Sequence, residues 1–309
     1  HLVKGWYTDE NDHIYYYDSN GVQADGLTEI DGKTYYFNGY MYINRRVIVD
    51  GTLYYLGQDG SVESQLKPSK DGWAKFGDDW YYVKNGEFVC DEFIEDGGYV
   101  YIISSDGTMV IGEYLYNDPE TSGQKYYRTD EAGHLYKGWY QSKKQNEDYN
   151  EWYYYGEDGA RVSGLTTING KKYYFSDWMK KDYMWISQDG MFYYFGPDGE
   201  LEIERSLSQE GWISAGGYWY YAKDNYLVRN QLLELGQYTY YMDHDGKMCT
   251  DKTFYIYNYS DGTSKNYRVD KEGHLVKGWY TDENNKIYYY DSNGVQADGL
   301  TIIDEKTYY

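Results

Sequence analysis

The chain has 309 residues, with 51 acidic against 29 basic side chains and a formal net charge of −22. That field repels phosphate, which argues against nucleic acid as a partner, and no run of eighteen apolar residues offers a membrane span. Leu, Ile, Val and Phe number only 16, 16, 14 and 8, a content that reads as disorder until the 46 Tyr and 10 Trp are counted. Each buried aromatic ring removes roughly 150–250 Å² from water, so a core can be built from tyrosine. The hydroxyls must then reach water or a partner, which predicts that most rings lie near the surface of a thin, extended body.

Along the chain, a repeat organises everything. His1 to Tyr36 lies on His274 to Tyr309 at a constant offset of 273, with four differences: Asp12/Asn285, His13/Lys286, Glu29/Ile302 and Gly32/Glu305. "GHLYKGWY" from Gly133 marks another start. The expected organisation is therefore a long unit over 1–133, a second over 134–273, and the start of a third over 274–309. Each long unit holds about six hairpins. An array that begins and ends on the same phrase reads as a portion of a longer chain.

The first unit runs through "GLTEIDGKTYYF", "VIVDGTLYYLGQDG", "GWAKFGDDWYYVKNG", "FIEDGGYVYIISSDG" and "YLYNDPETSGQKYYRTDEAG". The second follows the same order, from "GLTTINGKKYYF" to "FYIYNYSDGTSKNYRV". Each segment is an apolar triplet, a Gly-bearing turn, an aromatic run and another Gly turn. Asp-Gly or Asn-Gly between two β-forming runs specifies a hairpin, because both turn residues need positive φ. Side chains alternate on a strand, so in "WYY" the Trp and second Tyr share a face and the middle Tyr points away. Three Pro and the lack of a 3.6-residue apolar stripe leave little or no helix. A lone hairpin is marginal in water, so the hairpins must stack. The fold expected is all-β, a β-solenoid of tandem stacked β-hairpins.

"GWAKFGDDWYYVKNGEF" and "GWISAGGYWYYAKDNYL" resemble the choline-binding, or cell-wall-binding, repeats of Gram-positive surface proteins. "GLTTINGKKYYF" and "GLTEIDGKTYYF" are similar to the glucan-binding repeats of glucansucrases and the repetitive oligopeptide domains of clostridial toxins. The resemblance covers essentially the whole chain. It implies a β-solenoid and a secreted, bacterial cell-surface binding module. In the choline-binding branch the ligand sits in an aromatic box, with two Trp from one repeat and a Tyr from the next. The matching positions are Trp73, Trp80 and Tyr101, and Trp212, Trp219 and Tyr241. A quaternary ammonium gains about 0.5–2 kcal/mol per ring contact there. The compact Gly-Trp-x6-Trp spacing occurs only twice; an insertion separates Trp139 from Trp152, which stay candidate ligand-binding residues, and Ile14 and Ile287 replace the second Trp beside Trp6 and Trp279. Sugar stacking is the competing chemistry, with the longer "GWYQSKKQNEDYNEW" and "YLYNDPETSGQKYY" as candidate grooves.

Other residues read as structural. His1, His134 and His274 share one repeat position, which argues against catalysis. His13 becomes Lys286 in its duplicate, as a solvated turn residue would. "DHDGK" from Asp243 aligns with plain turns and lacks the ligand spacing of a calcium loop. Cys90 and Cys249 occupy different places in the repeat and read as two small buried hydrophobes, neither bridged nor metal-binding. Carboxylates recur at turns, whereas catalysis needs one unique constellation. No metal and no cofactor is expected. The resulting expectation is a non-enzymatic module that anchors a parent protein on cell-wall glycopolymer, through choline or an oligosaccharide. The alternatives are a toxin- or adhesin-like array for host or dietary glycans and a ligand-free spacer; the oligomeric state stays open.

Overall fold

The computed structural model describes residues 2–117, 123–142, 151–258 and 262–309. Among them are 34 strands and no helix, paired antiparallel in separate sheets of two or three strands each. No helix is long and apolar enough to cross a membrane. The turn chemistry explains the hairpins. Gly26–Ile30 and Lys33–Asn38 pair around Asp31 and Gly32, whose φ angles are 50° and 77°. That geometry matches the right-handed twist of the flanking strands. The duplicate hairpin keeps it at Asp304 and Glu305, with φ 47° and 63°, although a glutamate now stands where glycine was.

The central hairpins pack on a neighbour through both of their faces. In the pair Gly72–Phe76 and Asp79–Lys84, Trp73 lies opposite Tyr82 and Lys75 opposite Trp80. The other face, with Ala74, Phe76, Tyr81 and Val83, packs on Leu53 and Ile48 of the preceding hairpin. Trp73 and Tyr82 pack instead toward the following one, against Ile94, Ile103 and Tyr101. "WYY" thus divides as alternation requires. Backbone bonds reinforce the stacking: the Met109 N–H donates to the Trp80 carbonyl at 2.7 Å, and the Leu135 N–H to the Val100 carbonyl at 2.7 Å. Gly211–Ala215 and Tyr218–Lys223 repeat the plan, with Ile213, Tyr220 and Ala222 on Phe192 and Tyr194, and Met248 donating to the Trp219 carbonyl at 2.7 Å.

Two compact units result, His1–Val162 and Ser163–Tyr309. Within each, tandem hairpins stack as a β-solenoid does. The division falls inside the sequence segment 134–273.

Two expectations need correction. Tyr81 and Tyr155 are fully buried and their hydroxyls have no hydrogen-bond partner, so tyrosine here also serves as a plain apolar filler. Stacking explains it, since a ring between two hairpins has no path to water. Cys249 is buried but Cys90 is exposed, and both are free.

Candidate aromatic ligand sites

The Gly-Trp strand of each hairpin places its indole opposite a tyrosine two residues beyond the second aromatic position. Trp73 meets Trp80 edge-on, with ring centroids 6.5 Å apart at 90°, and meets Tyr82 at 5.0 Å and Tyr101 of the next hairpin at 4.7 Å. Trp212 meets Trp219 at 6.2 Å and 85°, Tyr221 at 5.1 Å and Tyr240 at 5.0 Å. Such perpendicular contacts satisfy the ring quadrupoles and leave a concave corner between faces.

Tyr241 does not join the second corner. It is 8 % exposed and stacks on Phe254 at 3.9 Å, on the opposite face of its strand. The true counterpart of Tyr101 is Tyr240. A shift of one residue moves a side chain to the other side of a sheet, which is why the neighbour of the right residue lies in the wrong layer.

Trp139 and Trp152 do meet, at 6.2 Å and 80°, with Tyr154 at 5.1 Å from Trp139. Strand register puts Trp139 opposite Tyr154 and Gln141 opposite Trp152, as in the compact hairpins. The inserted residues 143–150 lie outside the described residues, as do 118–122 of the other long segment. Sequence distance misled here because pairing is set by register. The hairpins without a second Trp keep three rings as well: Trp6 lies 5.0 Å from both Tyr16 and Tyr35, and Trp279 lies 5.0 Å from both Tyr289 and Tyr308. Tyr35 and Tyr308 were missed by motif reading, although each occupies the repeat position of Tyr101.

The rings of a corner are not equivalent. Trp73 and Trp212 are half-buried members of hydrophobic clusters, whereas Trp80 and Trp219 are 40 % and 47 % exposed. The two corners also differ in their surroundings. The Trp73 Nε1–H donates to Asp96 at 2.9 Å, and the Lys75 Nζ lies 5.8 Å from the Trp80 ring centroid. At the second corner Leu235 replaces Asp96, and Ser214 stands opposite Trp219.

Two histidines back the third ring. His134 stacks on Tyr99 at 3.8 Å, meets Tyr101 edge-on at 5.3 Å, and sets Nδ1 3.0 Å from Asp130. His274 does the same with Tyr238 at 3.8 Å, Tyr240 at 5.4 Å and Asp270 at 3.5 Å. His1 lies outside the described residues. The shared position ahead of "LxKGW" was the signal for this role. His13 pairs with Asp9 in its turn at 3.3 Å and stacks on Tyr40.

Many carboxylates are engaged in building turns. Asp18 Oδ1 accepts the N–H of Asn20 and of Val22, and Asp282 Oδ1 those of Asn284 and Lys286. The N–H of Val22 and that of Lys286 respectively lead in holding these carboxyls below the usual range. "DHDGK" follows the same scheme, with Asp243 Oδ1 accepting from Asp245 and Lys247 at 3.0 and 2.8 Å. Asp243, His244 and Asp245 come within 4.8 Å of one another, but that first carboxylate already serves the turn.

The family model described as a putative cell wall binding repeat matches residues 4–22, 185–201, 210–225 and 277–295. In these four segments the chain is similar to cell-wall-binding repeats. Three of the matched segments hold the Gly-Trp hairpins of Trp6, Trp212 and Trp279. Among curated relatives, Glucosyltransferase-S of Streptococcus mutans is 27 % identical over 89 % of this chain and 18 % of its own length. Glucosyltransferase-I of Streptococcus downei is 26 % identical over 97 % of this chain and 24 % of its own. The chain therefore spans under a quarter of the length of these relatives. Solved structures with similar repeats include CbpJ from Streptococcus pneumoniae, 21 % identical with TM-score 0.44 over 78 % of this chain and 91 % of that one. Choline binding protein F from Streptococcus pneumoniae, in the presence of a peptidoglycan analogue, is 22 % identical with TM-score 0.39 over 88 % and 98 %.

Proposed function

We propose that this chain is a non-catalytic, multivalent module, acting outside the cell, that holds a parent protein on a surface glycopolymer. The observation that carries the reading is the recurrence of the aromatic corner. Four Gly-Trp hairpins, at Trp6, Trp73, Trp212 and Trp279, set one indole at about 5 Å from a tyrosine of the next hairpin. Exposed rings of this kind suit two ligand chemistries. A quaternary ammonium, such as choline on teichoic acid, gains cation–π energy over indole and phenol faces, and the net charge of −22 raises its local concentration. A glucan offers flat sugar faces that stack on the same rings. Repetition suits attachment and not turnover, because linked weak contacts raise avidity by roughly 10²–10⁴-fold without a reactive centre. The turn role of the carboxylates fits the same view.

The matched relatives are named glucosyltransferases, and the portion they share with this chain is the repeat region. We take the sequence period, 1–133, 134–273 and onward, as the unit of binding, each long unit carrying Gly-Trp corners at matching places. The test is retention of the full chain on immobilised dextran and on choline-bearing cell wall, with elution by the free ligand. Retention on either supports attachment and identifies the polymer; passage through both, with no change in Trp fluorescence at tens of millimolar choline, removes the reading.

A further inference from the structure

A concave groove of about 590 Å³ lies in the second compact unit, formed by the turn after Ile186 and the short strand Tyr226–Leu227. Its size is that of a small-ligand pocket, which runs to roughly 300–1,000 Å³. It lies away from the tryptophan corners, and no Trp lines it. Buried Leu207 and Leu227 make an apolar floor, while Gln188, Asp189, Asn225, Tyr226 and Arg229 stand around it with exposed side chains.

Three observations mark it as more than a seam between hairpins. Tyr226 is 75 % exposed, so its ring packs on nothing that would account for it. The Arg229 guanidinium makes no ion pair among the described residues, in a chain with an acidic excess of 22; its contact is with the Met184 sulfur at 3.9 Å. Asp224 and Asn225 both take positive φ, 52° and 67°. The same turn in the first unit uses Asn85 and Gly86, and glycine adopts that conformation without strain. That first-unit turn is also braced by Asp71, which accepts the N–H of Asn85 and of Gly86 at 2.9 Å. Glu210, at the place of Asp71, instead accepts the Tyr221 hydroxyl at 3.3 Å. The first unit has Gly86, Glu87 and Cys90 where the second has Asn225, Tyr226 and Arg229, so the repeat has diverged at these three positions, while Asp189 keeps the aspartate of Asp50.

We infer that this groove is a second class of site, taking an uncharged sugar residue of the polymer, with Tyr226 as the stacking platform. Charge chooses the ligand class. Arg229 repels a cation and Asp189 repels an anion, whereas a polyol uses both, donating to the carboxylate and accepting from the guanidinium. Asn225 adds an amide that can do either. The inference rests on the reading of the chain as a glycopolymer-binding module.

The experiment is calorimetric titration of the full chain with isomaltotriose and, separately, with N-acetylglucosamine trimer. Tyr226→Ala and Arg229→Ala, both exposed and away from the corners, should each weaken the responding sugar tenfold or more. Trp219→Ala should leave that affinity within twofold. Asn225→Gly should raise the melting temperature while weakening the sugar at least threefold, a split that a purely structural residue does not give. Sugar affinity unchanged in Tyr226→Ala and Arg229→Ala overturns the groove and leaves the module reading intact. So does a wild-type chain that binds neither trimer but is still retained on polymer. A chain neither retained on polymer nor titrated by either sugar overturns both.

Discussion

Lys75 and Trp80 face each other across one hairpin, the ammonium 5.8 Å from the centre of the indole, whereas Ser214 faces Trp219 at the same place in the second unit. One corner is thus partly covered by a cation of its own. A cationic ligand should fill the Trp219 corner first. Lys75→Ser should tighten choline at the Trp80 corner, and Ser214→Lys should weaken it at the other. An exposed cation–π contact is worth about 0.5–1 kcal/mol, so each change should be about two- to sixfold, read from Trp fluorescence titrations of single-Trp-corner variants.

The two tryptophans of a corner should separate in their effects. Trp212 packs with Tyr221, Leu233 and Met242, and its truncation leaves a hole between hairpins. Trp212→Ala should cost about 2–4 kcal/mol of stability in urea denaturation, with ligand response lost as a consequence. Trp219→Ala, at a half-exposed ring, should cost under about 1 kcal/mol and still remove the response. Equal stability losses in the two variants would contradict this division of roles.

Tyrosine burial gives a signed pH dependence. Burial pushes the Tyr81, Tyr155 and Tyr220 hydroxyls up to about 12, from an ordinary value of 10.0. The unfolded chain releases these protons first, so the folded state binds more of them between the two values. The stability these groups contribute is full below pH 10, falls as the pH rises from about 10 toward 12, and is lost above that. Tyr81→Phe removes a buried hydroxyl that has no partner. It should leave stability at neutral pH unchanged or raised by up to about 1–2 kcal/mol, and should flatten the alkaline fall. Denaturation midpoints measured from pH 8 to 12 check both.

The duplicated hairpin offers an internal control for turn strain. Gly32 and Glu305 are equivalent, and both sit at positive φ, 77° and 63°. Glu305→Gly should stabilise by about 1 kcal/mol, and Gly32→Glu should destabilise by a similar amount, measured by thermal unfolding.

Hairpins, their turns and their order were legible because each rests on local chemistry: Asp-Gly at the turn and aromatic runs of period two. The corners were legible only where register could be read. Trp73, Trp80 and Tyr101 came from the resemblance to the choline-binding branch, but in "QYTYYMD" two adjacent tyrosines compete, and only stacking on His274 and Trp212 shows that Tyr240 faces the corner. Trp139 and Trp152 looked separated because an insertion lengthens the chain between them without moving the strands that carry them. The unpaired hydroxyl of Tyr81 and the groove around Tyr226 depend on what the neighbouring hairpin presents, which no pattern within one hairpin encodes.

Repeated exposed rings are the centre of this account, and counting them is its most direct test. Trp6, Trp80, Trp219 and Trp279, each 40–50 % exposed, should be replaced by Ala singly and then cumulatively, with retention on dextran and on choline-bearing cell wall measured at each step. Retention should fall stepwise, by more with each added substitution, while the melting temperature stays within a few degrees. Retention unchanged in the fourfold variant would contradict it.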